Sequence, residues 1–220
     1  MELPDGWWVE RDNPTALGKY TGDEEDVVIP EGITMIGPST FREISVTSVS
    51  IPSSVITILF SNFQQCIILA DINVSPDNVN YSSVDGVLFN KDKTELLKYP
   101  QGKTASTYTI PSSVKTIGGG AFYGCTSLKS IYIPASVTEF GRVEYGTAFE
   151  RTTTFKVIEG SYAHQWAIEN EQPYTLFSVS SAESMQDVFD ILTIIVNDLS
   201  GDSKLTAVDV PVAMKYVVSL

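Results

Sequence analysis

The chain has 220 residues, 43% of them hydrophobic and 19% charged, with a formal net charge of −13. That is an ordinary globular mix with material for one large or two smaller cores, and it excludes a disordered tail or a disulfide-stapled miniprotein. No stretch approaches the roughly eighteen apolar residues of a membrane-spanning helix, and an acidic surface repels phosphate backbones, so the expected partners are cations such as Ca2+ and not nucleic acid.

Met1 is followed by Glu-Leu-Pro-Asp, without a basic or an apolar leader segment, so no signal peptide is expected at this start. The acidic start, with Trp7, Trp8 and Tyr20, is expected to cap one end of the fold. Ile-Pro then recurs at Ile29-Pro30, Ile51-Pro52, Ile110-Pro111 and Ile133-Pro134, with spacings of 22, 59 and 23 residues. Around these sites the chain repeats the pattern I-P-x-S-V-x-x-I, then Phe, then Cys-x-x-Leu. Phe41, Phe63 and Phe122 follow their Ile-Pro by 11 or 12 residues.

Such a period describes a solenoid coil. Val49-Ser50-Ile51, Tyr108-Thr109-Ile110 and Ile131-Tyr132-Ile133 alternate like short strands with one buried face, and proline ends each strand because it cannot donate to a ladder. Ile29, Val49, Ile51, Ile72, Ile110, Ile131 and Ile133 are expected to be buried. Val55, Ile58, Val114 and Ile117 are expected to point inward, with Phe63 and Phe122 at the coil centre. Stacking is required, since one coil cannot bury its own face. Cys66 and Cys125 share one repeat slot, three residues after a Phe, and read as small inward thiols. By alternation the outward positions are Val28, Ser50, Asn73, Thr109, Tyr132 and Lys156. They are small and mixed, without an aromatic platform for sugars. The acidic run Asp23-Glu24-Glu25-Asp26 reads as a solvated face.

The words AFYGCTSLKSIYIPASV at 121–137 resemble the consensus of the BspA-like leucine-rich repeat family. Residues 80–102 resemble that family's hairpin insertion, with turns at Asp85-Gly86 and Asn90-Lys91-Asp92. Residues 155–174 resemble its last repeat, a strand followed by a short helix whose apolar side is Ala163, Trp166, Ala167 and Ile168. His164 on that helix reads as a surface or packing residue. The coil at 141–154 departs from the pattern by an inserted GRVEYG before Ala148-Phe149.

After Pro173 the rhythm stops. Asp198, Ser200, Asp202, Thr206 and Asp209 place oxygen donors at positions 1, 3, 5, 9 and 12 of a twelve-residue loop, and Lys204 would offer its carbonyl at position 7. That is how an EF-hand loop wraps Ca2+. Ser203 stands where glycine is usual and Asp209 where glutamate is usual. Residues 206–218 align with 184–196 at an offset of 22. Both segments together resemble a type-I dockerin, the module that binds cohesins on cellulosomal scaffoldins. At the first loop the calcium positions fall on Leu176, Ser178, Ser180, Ala182 and Ser184, so one Ca2+ site is expected. The resemblance implies cohesin contacts through Ala207, Val208, Met214 and Lys215, and in the first repeat through Met185, Gln186, Leu192 and Thr193.

The expected architecture is mainly β, α+β overall. A leucine-rich-repeat solenoid with caps spans 1–174, and a small α-helical, EF-hand-like dockerin module spans 175–220. The expected function is that of a secreted, non-catalytic binding protein at the cell surface or in a cellulosome, with a scaffoldin cohesin as one partner and a protein ligand on the repeats. Neither a nucleophile–base constellation nor a facing carboxylate pair is positioned by any motif. The alternatives are an enzyme-associated, carbohydrate-active cellulosomal component, or a calcium-responsive adhesin whose C-terminal module packs on its own solenoid.

Overall fold

The Ile-Pro rhythm becomes ladders of short parallel strands. The computed structural model describes residues 3–59, 62–141 and 149–176. The chain falls into two units, one of Met1–Thr104, Gly118–Ser127 and Gly141–Glu150, the other of Ala105–Ile117, Leu128–Phe140 and Arg151–Leu220.

The first unit opens with an antiparallel hairpin, β1 (Trp7–Glu10) and β2 (Asn13–Tyr20). Strands β3 (Asp26–Val28), β4 (Met35–Ile36), β5 (Ser48–Ile51), β6 (Thr57–Ile58) and β7 (Asp71–Val74) come next. They form two parallel ladders, β3-β5-β7 and β2-β4-β6. In the first ladder Val27, Val49 and Ile72 stand in register and are buried. In the second, Leu17, Ile36 and Ile58 stand in register. Ile58 is only half-buried, against the inward expectation. The inserted hairpin is β8 (Tyr81–Val84), β9 (Val87–Asn90) and β10 (Glu95–Lys98), antiparallel throughout. Its first turn holds Asp85 and Gly86 at φ 48° and 73°, as the Asp-Gly pair requires.

In the second unit β11 (Thr107–Thr109), β13 (Ser130–Ile133), β15 (Thr154–Val157) and β16 (Tyr174–Leu176) form one parallel ladder. A second pairs β12 (Thr116–Ile117) with β14 (Glu139–Phe140). Strand β16 runs through the boundary expected at 174/175. Helix α1 (Tyr162–Glu169) begins at Ser161, whose hydroxyl accepts the His164 N–H. Ala163 and Ala167 are buried and the Trp166 ring lies 5.9 Å from that of Phe155. Ile168, expected on the apolar side, is 54% exposed. Eight residues make little more than two turns, and the two alanines with Trp166 already fill the buried side.

The motif letters acquire mechanical meaning. In each I-P-x-S-V word the valine or isoleucine N–H bonds to the proline carbonyl: Ile33 to Pro30, Val55 to Pro52, Val114 to Pro111 and Val137 to Pro134. The serine ties a turn to the preceding one. Ser54 Oγ donates to the Ile33 carbonyl and Ser136 Oγ to the Val114 carbonyl, each at 2.8 Å.

An aromatic slot runs through the first unit. Backbone N–H groups of Tyr20, Phe41 and Tyr99 bond to the carbonyls of Thr40, Asn62 and Ala121, each just before the next aromatic. Tyr20 and Tyr99 therefore occupy phenylalanine positions. Phe41 stacks on Phe63 at 5.6 Å, and Tyr99, Phe122 and Phe149 stack at 5.5 and 5.4 Å. Trp7 seats on Tyr20 at 4.6 Å and closes that end, as expected of the cap, while Trp8 stays exposed. Two residues after Phe41, Phe63 and Phe122, the backbone of Glu43, Gln65 and Gly124 is left-handed, at φ 62°, 61° and 74°.

Phe122→Ala, which empties the middle of a three-ring stack, is expected to cost about 3–5 kcal/mol. Gly124→Ala meets a left-handed φ and a Cβ position that overlaps Gln101 Nε2, and is expected to cost about 1–3 kcal/mol. Urea unfolding checks both; a loss under about 1 kcal/mol for Phe122→Ala contradicts the slot.

Candidate functional site

Each parallel ladder has an outward face. In the first unit, Asp26, Ser48 and Asp71 lie in one row and Val28, Ser50 and Asn73 in the next. Asp26 Oδ1 accepts the Ser48 hydroxyl at 2.7 Å and the Thr47 hydroxyl at 3.0 Å, which hold its carboxyl below the usual range. Val28 is 69% exposed. This face is polar, small and acidic.

In the second unit the matching row is Thr109, Tyr132, Lys156 and Thr175. Tyr132, expected at an outward position, is buried. The Lys156 ammonium lies 4.3 Å from the ring centroid and bonds to the phenol oxygen. A long aliphatic stem from the neighbouring strand covers the ring, and cation and π face attract.

His164 has a packing role: its Nδ1 accepts the Gly160 N–H at 3.1 Å and its ring lies 4.9 Å from Tyr174. Cys66 and Cys125 are buried, free thiols, as expected of their slot. Each donates to the backbone carbonyl of an aromatic in the preceding coil, Cys66 to Phe41 and Cys125 to Tyr99 at 3.4 Å. Burial pushes the Cys125 thiol up from 9.0 to about 12, and the Cys66 thiol in the same direction. Thiols held protonated are not nucleophiles at neutral pH.

Sequence reasoning missed Lys98. Alternation in Glu95-Leu96-Leu97-Lys98 puts it on the same side of β10 as buried Leu96, and its side chain is buried. Its ammonium contacts the Gly120 and Tyr123 carbonyls at 3.5 and 3.4 Å. Burial lowers its pKa, while the nearby Cys125 and Cys66 work the other way. The available signal was a lysine at an inward strand position.

The residues expected to hold Ca2+, Asp198, Ser200, Asp202, Lys204, Thr206 and Asp209, lie outside the described residues, as do those expected to contact a cohesin, Met185, Gln186, Leu192, Thr193, Ala207, Val208, Met214 and Lys215. Leu176 lies on β16 and is exposed. Among the described residues, no cluster of three or more His, Cys, Asp or Glu could hold a metal, and no helix is long and apolar enough to cross a membrane.

The protonated thiols set a pH dependence. An unfolded Cys125 loses its proton near 9.0, whereas the folded one keeps it to about 12. Tyr99, raised from 10.0 to about 12 chiefly by burial, behaves alike. In that window the unfolded state carries fewer protons, so stability falls as pH rises. Lys98, whose pKa is lowered, opposes this until its unfolded value of 10.5. Unfolding free energies between pH 8 and 11 are expected to fall less steeply in Cys125→Ala than in the wild type; equal slopes contradict the assignment.

A family model described as a BspA type leucine rich repeat region, in six copies, matches residues 19–102 and 99–211. A leucine-rich repeat protein from Eubacterium ventriosum is 33% identical, with a TM-score of 0.51, over 62% of this chain and 42% of its own. A leucine rich cell surface protein from Faecalibacterium prausnitzii is 25% identical, with a TM-score of 0.45, over 62% of this chain and 41% of its own. The chain thus spans less than half the length of these solved relatives. No curated protein matches it.

Proposed function

The chain belongs to the BspA-type leucine-rich repeat family, and from that premise we propose that it is a non-catalytic, extracellular binding protein that is carried onto a scaffoldin cohesin by a C-terminal dockerin. The observation that carries the docking step is the spacing of oxygen donors from Asp198 to Asp209, which falls at the positions of an EF-hand loop. Asp198, Ser200, Asp202, the Lys204 carbonyl and Asp209 would hold one Ca2+, with Thr206 direct or through water. That ion would fix the start of the helix presenting Ala207, Val208, Met214 and Lys215. Folded as the helices of a dockerin, the segments 184–196 and 206–218 would carry more apolar residues than a two-helix pairing buries, which is the mark of an interface. Met185, Gln186, Leu192 and Thr193 would form the alternative docking set. The repeats supply a protein-binding surface: the outward rows are small and polar, with Val28 exposed, which suits backbone and side-chain hydrogen bonding to a protein more than sugar stacking.

A second reading rests on three observations. The family match runs to residue 211, and β16 already extends the parallel ladder to Leu176. The 22-residue offset that relates 184–196 to 206–218 is also the coil period. On this reading the C-terminal segment is further repeat.

Calorimetry with Ca2+ and with a panel of cohesin modules separates the two. Docking predicts one Ca2+ per chain and Ca2+-dependent cohesin binding. Asp198→Ala abolishes it, and Val208→Asp abolishes it while the Ca2+ still binds. Met185→Asp is expected to have much the smaller effect. Two equivalent Ca2+ sites contradict the reading of Leu176 as a lost ligand, and a chain that binds neither Ca2+ nor cohesin favours the repeat reading.

A further inference from the structure

The parallel ladder of the second unit ends on an apolar face that the described residues leave open. On β16, Tyr174 continues the inward row of Ile131 and Phe155, and Leu176 that of Ile133 and Val157. The four earlier members are buried, whereas Tyr174 is 38% and Leu176 45% exposed. Helix α1 adds to the same face. Its Tyr162 and Trp166 rings lie 5.3 and 5.0 Å from Phe140 of the preceding coil. Two residues further on is about 200° round a helix, so His164 and Ile168 are turned the other way. The His164 ring meets Tyr174 at 4.9 Å, and the exposed Ile168 stands one turn further along the same stripe. Ile168, Tyr174 and Leu176 therefore share one side of the unit, the side on which a further coil would stack.

The chain itself departs from this face. Leu176 is the last described residue, and residues 177–220 follow it. Residues 188–196, VFDILTIIV, are apolar at all but Asp190 and Thr193. The preceding coil shows how a segment of its own chain covers a strand: Trp166, 11 residues after Phe155, stacks on it at 5.9 Å. Val188 and Phe189 come 14 and 15 residues after Tyr174. We propose that residues 188–196 fold back over Ile168, Tyr174 and Leu176 and close this end of the second unit. A tether of 11 residues, 177–187, holds the segment at a high effective concentration. A second copy of the chain has no such tether and brings a further charge of −13 against the first. The inference stands apart from the docking reading, because the contact forms whether 206–218 continues the repeat or meets a cohesin. In the second case it occupies Leu192 and leaves Ala207, Val208, Met214 and Lys215 as the docking set.

The test uses the whole chain, dilute, with the photoreactive p-benzoylphenylalanine in place of Ile168, an exposed position that accepts a larger side chain. Irradiation, digestion and mass spectrometry identify what lies against it. A cross-link within one chain, to residues 188–196, is expected. Amide hydrogen exchange gives a second readout. Ile168→Glu combined with Leu176→Glu is expected to speed exchange across 188–196 at least about tenfold over the wild type, with exchange in β13 unchanged. Should the double variant unfold, seen as fast exchange in β13 as well, the cross-link decides alone. Ca2+ and cohesin binding are scored separately by calorimetry, and their loss leaves the cross-link in place, so the two readings fail independently. A cross-link between two chains, a cross-link only to residues outside 188–196, or no cross-link overturns the proposal. So does exchange across 188–196 that the folded double variant leaves unchanged.

Discussion

Everything in this fold depends on a backbone register that returns after about one coil. An N–H of one coil meets a carbonyl of the next at Tyr20–Thr40, Phe41–Asn62 and Tyr99–Ala121. The same return aligns Val27, Val49 and Ile72 in one unit and Tyr108, Ile131 and Phe155 in the other. A short strand is not stable alone, but every strand added to a ladder satisfies backbone groups and buries the previous strand's apolar face. The aromatic slot, the cysteine slot and the serine tie are consequences of that register. Each places like side chains in rows, where rings stack and hydroxyls or thiols reach a carbonyl of the preceding coil.

The hairpin insertion shows how the register tolerates a longer excursion. It adds three antiparallel strands between Val74 and Tyr99, and the chain rejoins the slot with Tyr99 in place of phenylalanine. One residue earlier, Lys98 turns inward. A buried cation, two protonated thiols and an Asn62 oxygen that has no partner among the described residues then share the interior of this unit. Polar groups of this kind weaken a core that hydrophobic residues of the same volume would fill, so the place of Lys98 and Asn62 along one recess is the least expected feature of the fold.

The outward rows explain why a repeat of this kind suits protein recognition. Neighbouring strands present their side chains in fixed rows, so a binding surface is varied by substitution without disturbing the buried rows behind it. In the second unit the row is partly self-covered, with Lys156 lying over Tyr132. The first unit offers open polar positions instead.

The sequence by itself determined the repeat, its period, the hairpin with its Asp-Gly turn and the inward valines and isoleucines other than Ile58. Those come from spacing and from residues that admit one backbone use, such as proline at a strand's end and Asp85-Gly86 at a tight turn. It also placed Cys66 and Cys125 in a common slot, while the Ca2+ ligand spacing read at Asp198–Asp209 is an expectation that lies outside the described residues. Only the tertiary structure decided that Tyr20 and Tyr99 stand in for phenylalanine, because slot membership is set by inter-coil hydrogen bonds and not by the local motif. It alone showed that Lys156 buries Tyr132 and that Ile168 faces out, since both depend on what the neighbouring strand or a short helix already covers. The Lys98 recess belongs to the same class. Its lining comes from residues 58–59, 62–64, 81–98 and 118–120, and no pattern within any one of them announces the cavity that their packing leaves.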